Sequence, residues 1–500
     1  MGDGTGAIGR GVDAAPAPVG RGEQPIAIGL DLGTSSLKAI AVDVASGEVV
    51  ARIRQPYPTH RPEPGAAEQA PQDWMAAAIG ALGRLAAATE AERWIGIGLS
   101  AMLPTLVCLD ADGEPVGNAV VWEDTRAEPQ AEHLRAAHPD AVAYERTGQL
   151  LDGRYLVPMF ARIAERDPEA AARTVRIVGA KDYLFAQLTG ELLTDPSTAA
   201  GSGVYDLASG AYAGGPWPEL PPIAASHEMR PLDAGVARLI GAPAGLPVAL
   251  GAADSVLGAE ALGARPGKDI AVISGTSTVV LGLREDSTVE SQRRALVTPL
   301  SGAGFGLEMD LVASGSAFQW LTRLTGAPAT EVLMDEAALV DPLEAPGVLP
   351  YLGPGEQGAL WEPGLHGGFE RLTLGTTRGE LMRGLLTGVL LELRRCIKVL
   401  TPPSDGRIIV AGSSFSSELA LQDLADACGA EVLADTSDAD HSALGAVDVL
   451  LAGLGRDRLP HARAFRDFAP RAERADVWAQ LAERHEAALA RERSRVAAGS

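Results

Sequence analysis

Between Pro25 and Ile53 the chain alternates apolar runs with tight polar breaks: a run from Ile26, a Gly33-Thr-Ser-Ser36 break, a run at about 37–44, a Ser46-Gly47 turn and a third run. Connections this short leave no room for a parallel crossover, so the pattern predicts an antiparallel meander. The period then changes. Between about Pro71 and Thr89, Trp74, Ile79, Leu82 and Leu85 recur at helical spacing behind an initial Pro, which predicts an amphipathic helix. Strands are expected at about 94–99 and 105–110, the second ending in the turn Ala111-Asp-Gly113.

A short helix is expected at 182–188, closed by Gly190, and the Pro/Gly-rich stretch 213–222 reads as surface loop. The second half opens at Asp269 with Ile270-Ala-Val-Ile-Ser-Gly-Thr-Ser-Thr-Val-Val-Leu281, the same plan of apolar run, Gly-Thr-Ser break and apolar run. Beyond Gly-rich segments around 302–306 the pattern predicts a long helix at about 377–400, a strand at 407–410, a helix at 418–428 and a charged helix from about Ala475. The repeated opening predicts two similar lobes facing each other across a cleft.

Composition narrows the class. With 500 residues, 46% hydrophobic and 21% charged, the chain is long enough for two or more cores, and no apolar run approaches the ~20 residues of a membrane helix. A net charge of -23 without clustered Lys and Arg argues against a nucleic-acid partner, because phosphate backbones are held by such clusters. Cys108, Cys396 and Cys428 are widely spaced and form no Cys-x-x-Cys, which fits free thiols in a reducing cytoplasm. Residues 1–24, rich in Gly, Ala and Pro, lack a signal-peptide core and read as a disordered leader.

The first break also suggests chemistry. A tight Gly33-Thr34-Ser35-Ser36 loop turns successive N–H groups and hydroxyls toward one point, a nest suited to phosphate oxygens, with Lys38 adding charge. Asp31 beside that nest would repel a phosphate unless Mg²⁺ stood between them. Taken alone, the turn is equally a hairpin making local Ser and Thr bonds. Gly275-Thr276-Ser277 supplies a second nest, and two nests from opposite lobes would grip one polyphosphate.

Gly412-Ser413-Ser414, after an apolar strand and before a helix, is small enough for a flat ring or ribose to approach, or is an ordinary strand–helix connection. Asp254 follows an apolar strand and opens an apolar helix. It is placed either to cap that helix or to accept a proton from a hydroxyl attacking a γ-phosphate, and both roles fit one carboxylate.

In this order the motifs resemble the FGGY family of carbohydrate kinases from about Ile26 to Gly455. Asp31-Leu-Gly-Thr-Ser-Ser-Leu-Lys38 resembles the family's first phosphate motif, Ile273-Ser-Gly-Thr-Ser277 its second, Ala411-Gly-Ser-Ser-Phe-Ser-Ser-Glu-Leu419 its adenosine motif, and Gly251-Ala-Ala-Asp254 the segment of its catalytic base. Glu68-Gln69 before Asp73-Trp74, Trp122-Glu-Asp-Thr-Arg126, and Lys181-Asp-Tyr183 with Leu188-Thr-Gly190 fall in the family's order.

The resemblance implies an α/β, two-lobed actin-like ATPase (ribonuclease H-like) fold with a central cleft. It implies an N-terminal domain over 25–262 for sugar and phosphate and a C-terminal domain over 263–460 for nucleotide, before a charged helical tail over 461–500. It further implies ATP-dependent phosphorylation of a hydroxyl on a sugar, sugar acid or polyol in the cytoplasm. Asp254 would be the base and Asp31 the residue facing hydrated Mg²⁺, with Met102, Leu103 and Trp122 at the acceptor. Glu483 to Arg495 reads as a solvated helix or the contact of a homodimer.

One departure bears on the substrate. Xylulose kinases of this family carry Gln-Met-His-Gly where this chain has Ser100-Ala-Met-Leu-Pro-Thr105, so a pentulose hydroxyl loses a polar partner. Gluconate, a pentulose, a small polyol or a cyclitol all remain open. The alternatives in function are an actin-like switch ATPase and a degraded kinase that only binds ligand. Trp320, Tyr351 and Trp361 are aromatic candidates for a sugar pocket or, more ordinarily, for core packing.

Overall fold

The computed structural model of the chain describes residues 24–499 apart from 354–357, 363, 401–405, 438 and 461–463. The expected leader over 1–24 lies, save for Gln24, outside the described residues, as do 461–463 of the expected tail.

Two mixed sheets carry the fold. The first is ordered Met229–Pro231, Pro247–Ala253, Trp94–Ala101, Ile26–Leu32, Ser36–Asp43, Val49–Pro56. Its last three strands form the expected antiparallel meander, while Trp94–Ala101 runs parallel to both Ile26–Leu32 and Pro247–Ala253. Ile26–Leu32 is buried at every position because both of its faces are covered. Ile28, Leu30 and Leu32 pack toward the helix Pro71–Thr89 with Trp74, Leu82 and Leu85, and Ala27 packs on the opposite face with Ala443, Val447 and Leu450. Val49–Pro56 lies at the edge and alternates half-buried and exposed residues.

The second sheet, ordered Leu296–Pro299, Phe305–Leu311, Thr278–Arg284, Ile270–Ser274, Arg407–Gly412, Glu431–Asp435, Phe465–Phe468, repeats that plan. An antiparallel hairpin closes on the second Gly-Thr-Ser turn, and Arg407–Gly412 runs parallel beside it. The long helix is Arg378–Leu400, starting one residue after the pattern because Thr377 caps it. Thr377 N donates to Glu380 Oε2 at 2.6 Å, and Glu380 N donates back to Thr377 Oγ at 3.2 Å.

The sheets exchange helices. Asp254–Ala261 leaves the end of a first-sheet strand and packs Val256 and Ala259 on Ala271, Leu281 and Ile409 of the second sheet. His441–Gly453 follows a second-sheet strand and covers the first sheet. Its backbone lies so close that a Cβ on Gly29 would stand 2.2 Å from Ala443 O, and one on Gly98 2.0 Å from Ala446 O. Periodicity gives no signal for this helix, because it is buried from Ala443 through Leu451 and so lacks a polar face.

A smaller sheet, Glu68–Gln69, Ala119–Val121, Thr105–Leu109, Arg176–Val178, with the helices Glu128–Ala137 and Leu156–Arg166 beside it, forms a wall of the cleft. The terminal helix Ala475–Gly499 packs Trp478 and Leu481 into the second lobe.

Candidate active site

Strand register builds the first half of the site. Asp31 is opposite Lys38 on one neighbouring strand and Ser100 on the other. Its Oδ2 accepts from Lys38 Nζ at 3.1 Å and its Oδ1 from Ser100 Oγ at 2.9 Å. Lys38 Nζ also lies 3.2 Å from Asp440 Oδ2, at the start of the crossing helix, and the two carboxylates push the Lys38 pKa up. Asp440 is absent from the motif reading, and Ser100 enters it only as the start of the Ser100–Thr105 departure. A buried Ser in an apolar strand signals little until its register with Asp31 is known.

The turn after Asp31 is clamped from outside. Gln69 Nε2 donates to Thr34 O at 2.7 Å, Trp122 Nε1 donates to Thr34 Oγ at 2.9 Å, and Tyr57 Oη donates to Gly33 O. Ser35 is exposed at the tip, whereas Ser36 is buried and its Oγ accepts from Arg54 Nε at 2.9 Å. Gly33 N donates to Ser36 O at 3.2 Å, so the amides left to an anion at this turn are those of Thr34 and Ser35, with Ser36 turned to structural bonds.

The second turn and the third motif form one unit. Ser413 N donates to Ser274 O at 3.1 Å, Ser414 Oγ donates to Gly275 O at 2.6 Å, and Ser316 N donates to Thr276 O at 3.0 Å. Gly412 has φ +100, and a Cβ there would lie 1.9 Å from Ser274 O, so glycine is required. Ser414 is the hydroxyl that ties the two loops together.

Asp254 stands where the lobes meet. It is the first residue of its helix rather than the cap, which corrects the capping expectation: Ala253 holds the cap position, and Asp254 Oδ1 accepts only from the adjacent Ser255 N at 2.8 Å. Burial first, and then the charge of Asp31, raise its pKa to about 7, with Lys38 opposing. Across the lobe boundary Ser255 Oγ donates to Glu308 Oε2 at 3.2 Å. Glu308 is raised well above the usual carboxylate range by burial and by Asp310, and Asp310 itself is raised to about 6 by burial against the opposing charge of Arg154. Motif reading misses Glu308 and Asp310, since Leu307-Glu-Met-Asp310 resembles an exposed strand edge.

A cavity of about 1080 Å³ opens between the lobes, lined among others by Trp122, Gln149, Arg154, Thr276, Ser316 and Trp361. Of the four residues expected at the acceptor, Met102, Leu103, Trp122 and Asp254, only Trp122 lines it. Met102 sits in the first-lobe core, its N donating to Leu32 O at 2.9 Å, and Leu103 packs in the cluster around Ala253. Of the aromatic candidates, Trp361 lines the cavity, Tyr351 is buried with its hydroxyl on Glu392 Oε1 at 2.8 Å, and Trp320 packs against the second-lobe core.

Asp31 suits a hydrated divalent ion. No cluster of three or more His, Cys, Asp or Glu among the described residues could cage a metal. Asp31 nonetheless supplies a buried carboxylate whose charge raises both Asp254 and Asp440, an excess of negative potential that a cation arriving on phosphates would relieve.

Comparison with known proteins gives the family and the fold. The N-terminal domain of the FGGY family of carbohydrate kinases matches residues 26–261 and its C-terminal domain matches 270–454. The chain is 27% identical over 459 residues to a gluconokinase of Bacillus subtilis (strain 168), covering 86% of this chain and 88% of that one. It is 27% identical over 424 residues to a xylulose kinase of the same organism, covering 81% and 84%. The crystal structure of xylulose kinase from Rhodospirillum rubrum superposes with a TM-score of 0.84 at 28% identity, covering 94% of this chain and 99% of that one.

Proposed function

The chain belongs to the FGGY family of carbohydrate kinases, on the actin-like ATPase fold, and from that premise we propose how its residues transfer phosphate from ATP to a sugar or sugar-acid hydroxyl. The observation that carries the mechanism is Asp254, a carboxylate raised to about 7 at the lobe boundary. A base whose pKa lies near working pH is ionised often enough to accept a proton and basic enough to hold it.

Asp254 accepts the proton of the acceptor hydroxyl as that oxygen attacks the γ-phosphorus and ADP leaves. Gly33 N and Gly275 N close their own turns on Ser36 O at 3.2 Å and Ser277 O at 2.7 Å, so the amides of Thr34, Ser35, Thr276 and Ser277 hold phosphate oxygens from the two lobes, and Lys38 neutralises charge on the transferring group. Gly412, Ser413 and Ser414 form the seat for the adenosine, where the absence of bulk lets it approach the backbone. Asp31 would hold hydrated Mg²⁺, which would neutralise charge on the triphosphate. Closure of the lobes excludes water from the reaction.

The cations of the cavity wall are paired. Arg61 is 2.7 Å from Glu123, Arg154 2.7 Å from Asp152 and Arg135 3.0 Å from Glu128, and Arg293 pairs with Glu145. A guanidinium has five N–H donors and shares them between two carboxylates without losing the first, so these pairs do not discriminate between an aldonate and an uncharged pentulose or polyol. The test is ADP release from Mg-ATP across pentuloses, aldonates, tetritols, glycerol and cyclitols. Turnover with one acceptor, abolished by Asp254→Asn and by chelating the metal, is expected. Acceptor-independent hydrolysis alone would favour a switch ATPase instead.

Free thiols at Cys108, Cys396 and Cys428 suit a reducing cytoplasm, and no helix among the described residues is long and apolar enough to cross a membrane.

A further inference from the structure

We propose that Ser197 and Asp195 are positioning residues for Asp254, acting through the backbone amide of Ala253; this rests on the reading of Asp254 as the base. The strand that delivers Asp254 is incomplete on its outer side. Met229–Pro231 pairs only with Pro247 to Ala249, and beyond that point the register against Trp94–Ala101 shifts. Gly251 takes φ +73 there, and a Cβ on it would lie 1.7 Å from Leu99 O.

The amides past the irregularity are held individually. Leu250 N donates to Glu228 O at 2.9 Å and Gly251 N to Ser226 O at 2.8 Å, but Ala253 N, next to the base, donates to a side chain, Ser197 Oγ at 2.9 Å.

Ser197 can serve that amide because its own proton is committed. Its Oγ donates to Asp195 Oδ2 at 2.5 Å, and its backbone N donates to the same oxygen at 2.9 Å. A carboxylate only accepts, so it takes the hydroxyl hydrogen and leaves the oxygen lone pairs facing Ala253 N–H. Asp195 is fixed in turn by Thr198 Oγ at 2.6 Å, by Ser226 Oγ at 3.4 Å and by Lys181 Nζ at 3.1 Å. Asp195 and Ser197 are fully buried and Lys181 is 1% exposed. A buried ion pair seldom stabilises more than apolar packing would, so orientation is the use this one serves.

The test compares Ser197→Ala, Thr198→Val and Asp254→Asn in the full chain by kcat, KM for both substrates and thermal midpoint. Ser197→Ala and Thr198→Val each delete one hydroxyl bond to Asp195, but only the first reaches Ala253. Ser197→Ala is expected to lower kcat about 10- to 100-fold with KM for Mg-ATP unchanged, since small misplacements of a reacting group cost that much. Thr198→Val is expected to lower kcat less than about threefold at a similar loss of midpoint.

Equal losses of kcat in both variants, tracking the midpoint, would overturn the proposal, as would parent-like kcat in Ser197→Ala beside an inactive Asp254→Asn. An active Asp254→Asn would overturn the base assignment itself, and the positioning role with it. If Ser197→Ala does not fold, Ser197→Cys, which keeps the volume but is a weak acceptor, is read by the same criteria.

Discussion

The side-chain amide of Gln69 donates to the carbonyl of Thr34 at 2.7 Å, so a residue of the small wall sheet holds the first Gly-Thr-Ser turn in place. Gln69 is 1% exposed and its Oε1 accepts from Trp74 Nε1 at 2.8 Å, which fixes the amide's orientation. Gln69→Leu should leave the Thr34 carbonyl unheld and raise KM for Mg-ATP about tenfold, the worth of one buried hydrogen bond. Initial rates at varied ATP, with the acceptor saturating, check this; unchanged KM would show that the turn holds itself.

Lys38 bridges Asp31 and Asp440. Lys38→Met should lower kcat about 100-fold, the usual cost of one lost charge-stabilising donor. Asp440→Asn leaves the ammonium in place and should cost far less. Rapid-quench measurement of the phosphoryl-transfer step in both variants separates the roles, and equal losses would contradict them.

Asp254 makes stability depend on pH. Its carboxyl rises from 3.8 to about 7 on folding, so the folded state binds the proton more tightly, and stability is fully present below the lower value and lost as pH rises through the higher. Asp254→Asn removes that penalty. The variant should keep only residual activity yet be more stable than the parent by on the order of 1 to 3 kcal/mol at about pH 8, the gain shrinking toward about pH 5. Denaturant unfolding at the two pH values measures it, and a gain that grew toward acid would refute the shift.

The same shift sets the activity profile. The base works ionised, so kcat/KM should fall as pH drops below about 7, the limb disappearing from the residual activity of Asp254→Asn. A rate independent of pH from about 5 to 8 would point to another base.

Gly98→Ala places a Cβ 2.0 Å from Ala446 O, where the neighbour is backbone and cannot swing aside. The crossing helix must lift, costing roughly 3 kcal/mol as overpacking does. Chemical denaturation gives the number, and a neutral substitution would show that the helix seat yields.

Much of this was legible in order and pattern. The helix at Pro71–Thr89 announces itself by a Pro start and an apolar stripe, and the helix Glu418–Cys428 by its Ser417 cap and Gly429. Asp31, Lys38, Asp254 and the two Gly-Thr-Ser turns stand out because polar residues break apolar runs. His441–Gly453 does not, because a helix buried all round loses the periodicity that would reveal it. Met102 misleads for a related reason: a side chain one residue beyond a strand points by the local twist, and here it points into the core.

By itself, the sequence determined the amphipathic and alternating elements, the repeated lobe plan and the residue types for phosphate transfer, since these depend on local spacing and backbone preference. Tertiary structure alone decided which groups meet: Ser100 and Lys38 on Asp31, Asp440 reaching over from the other half, Ser197 beneath Ala253, Glu308 facing Ser255. Those pairings follow from strand register and from two helices exchanged between sheets. A register or a crossing is set by packing between segments tens to hundreds of residues apart, and no local pattern records it.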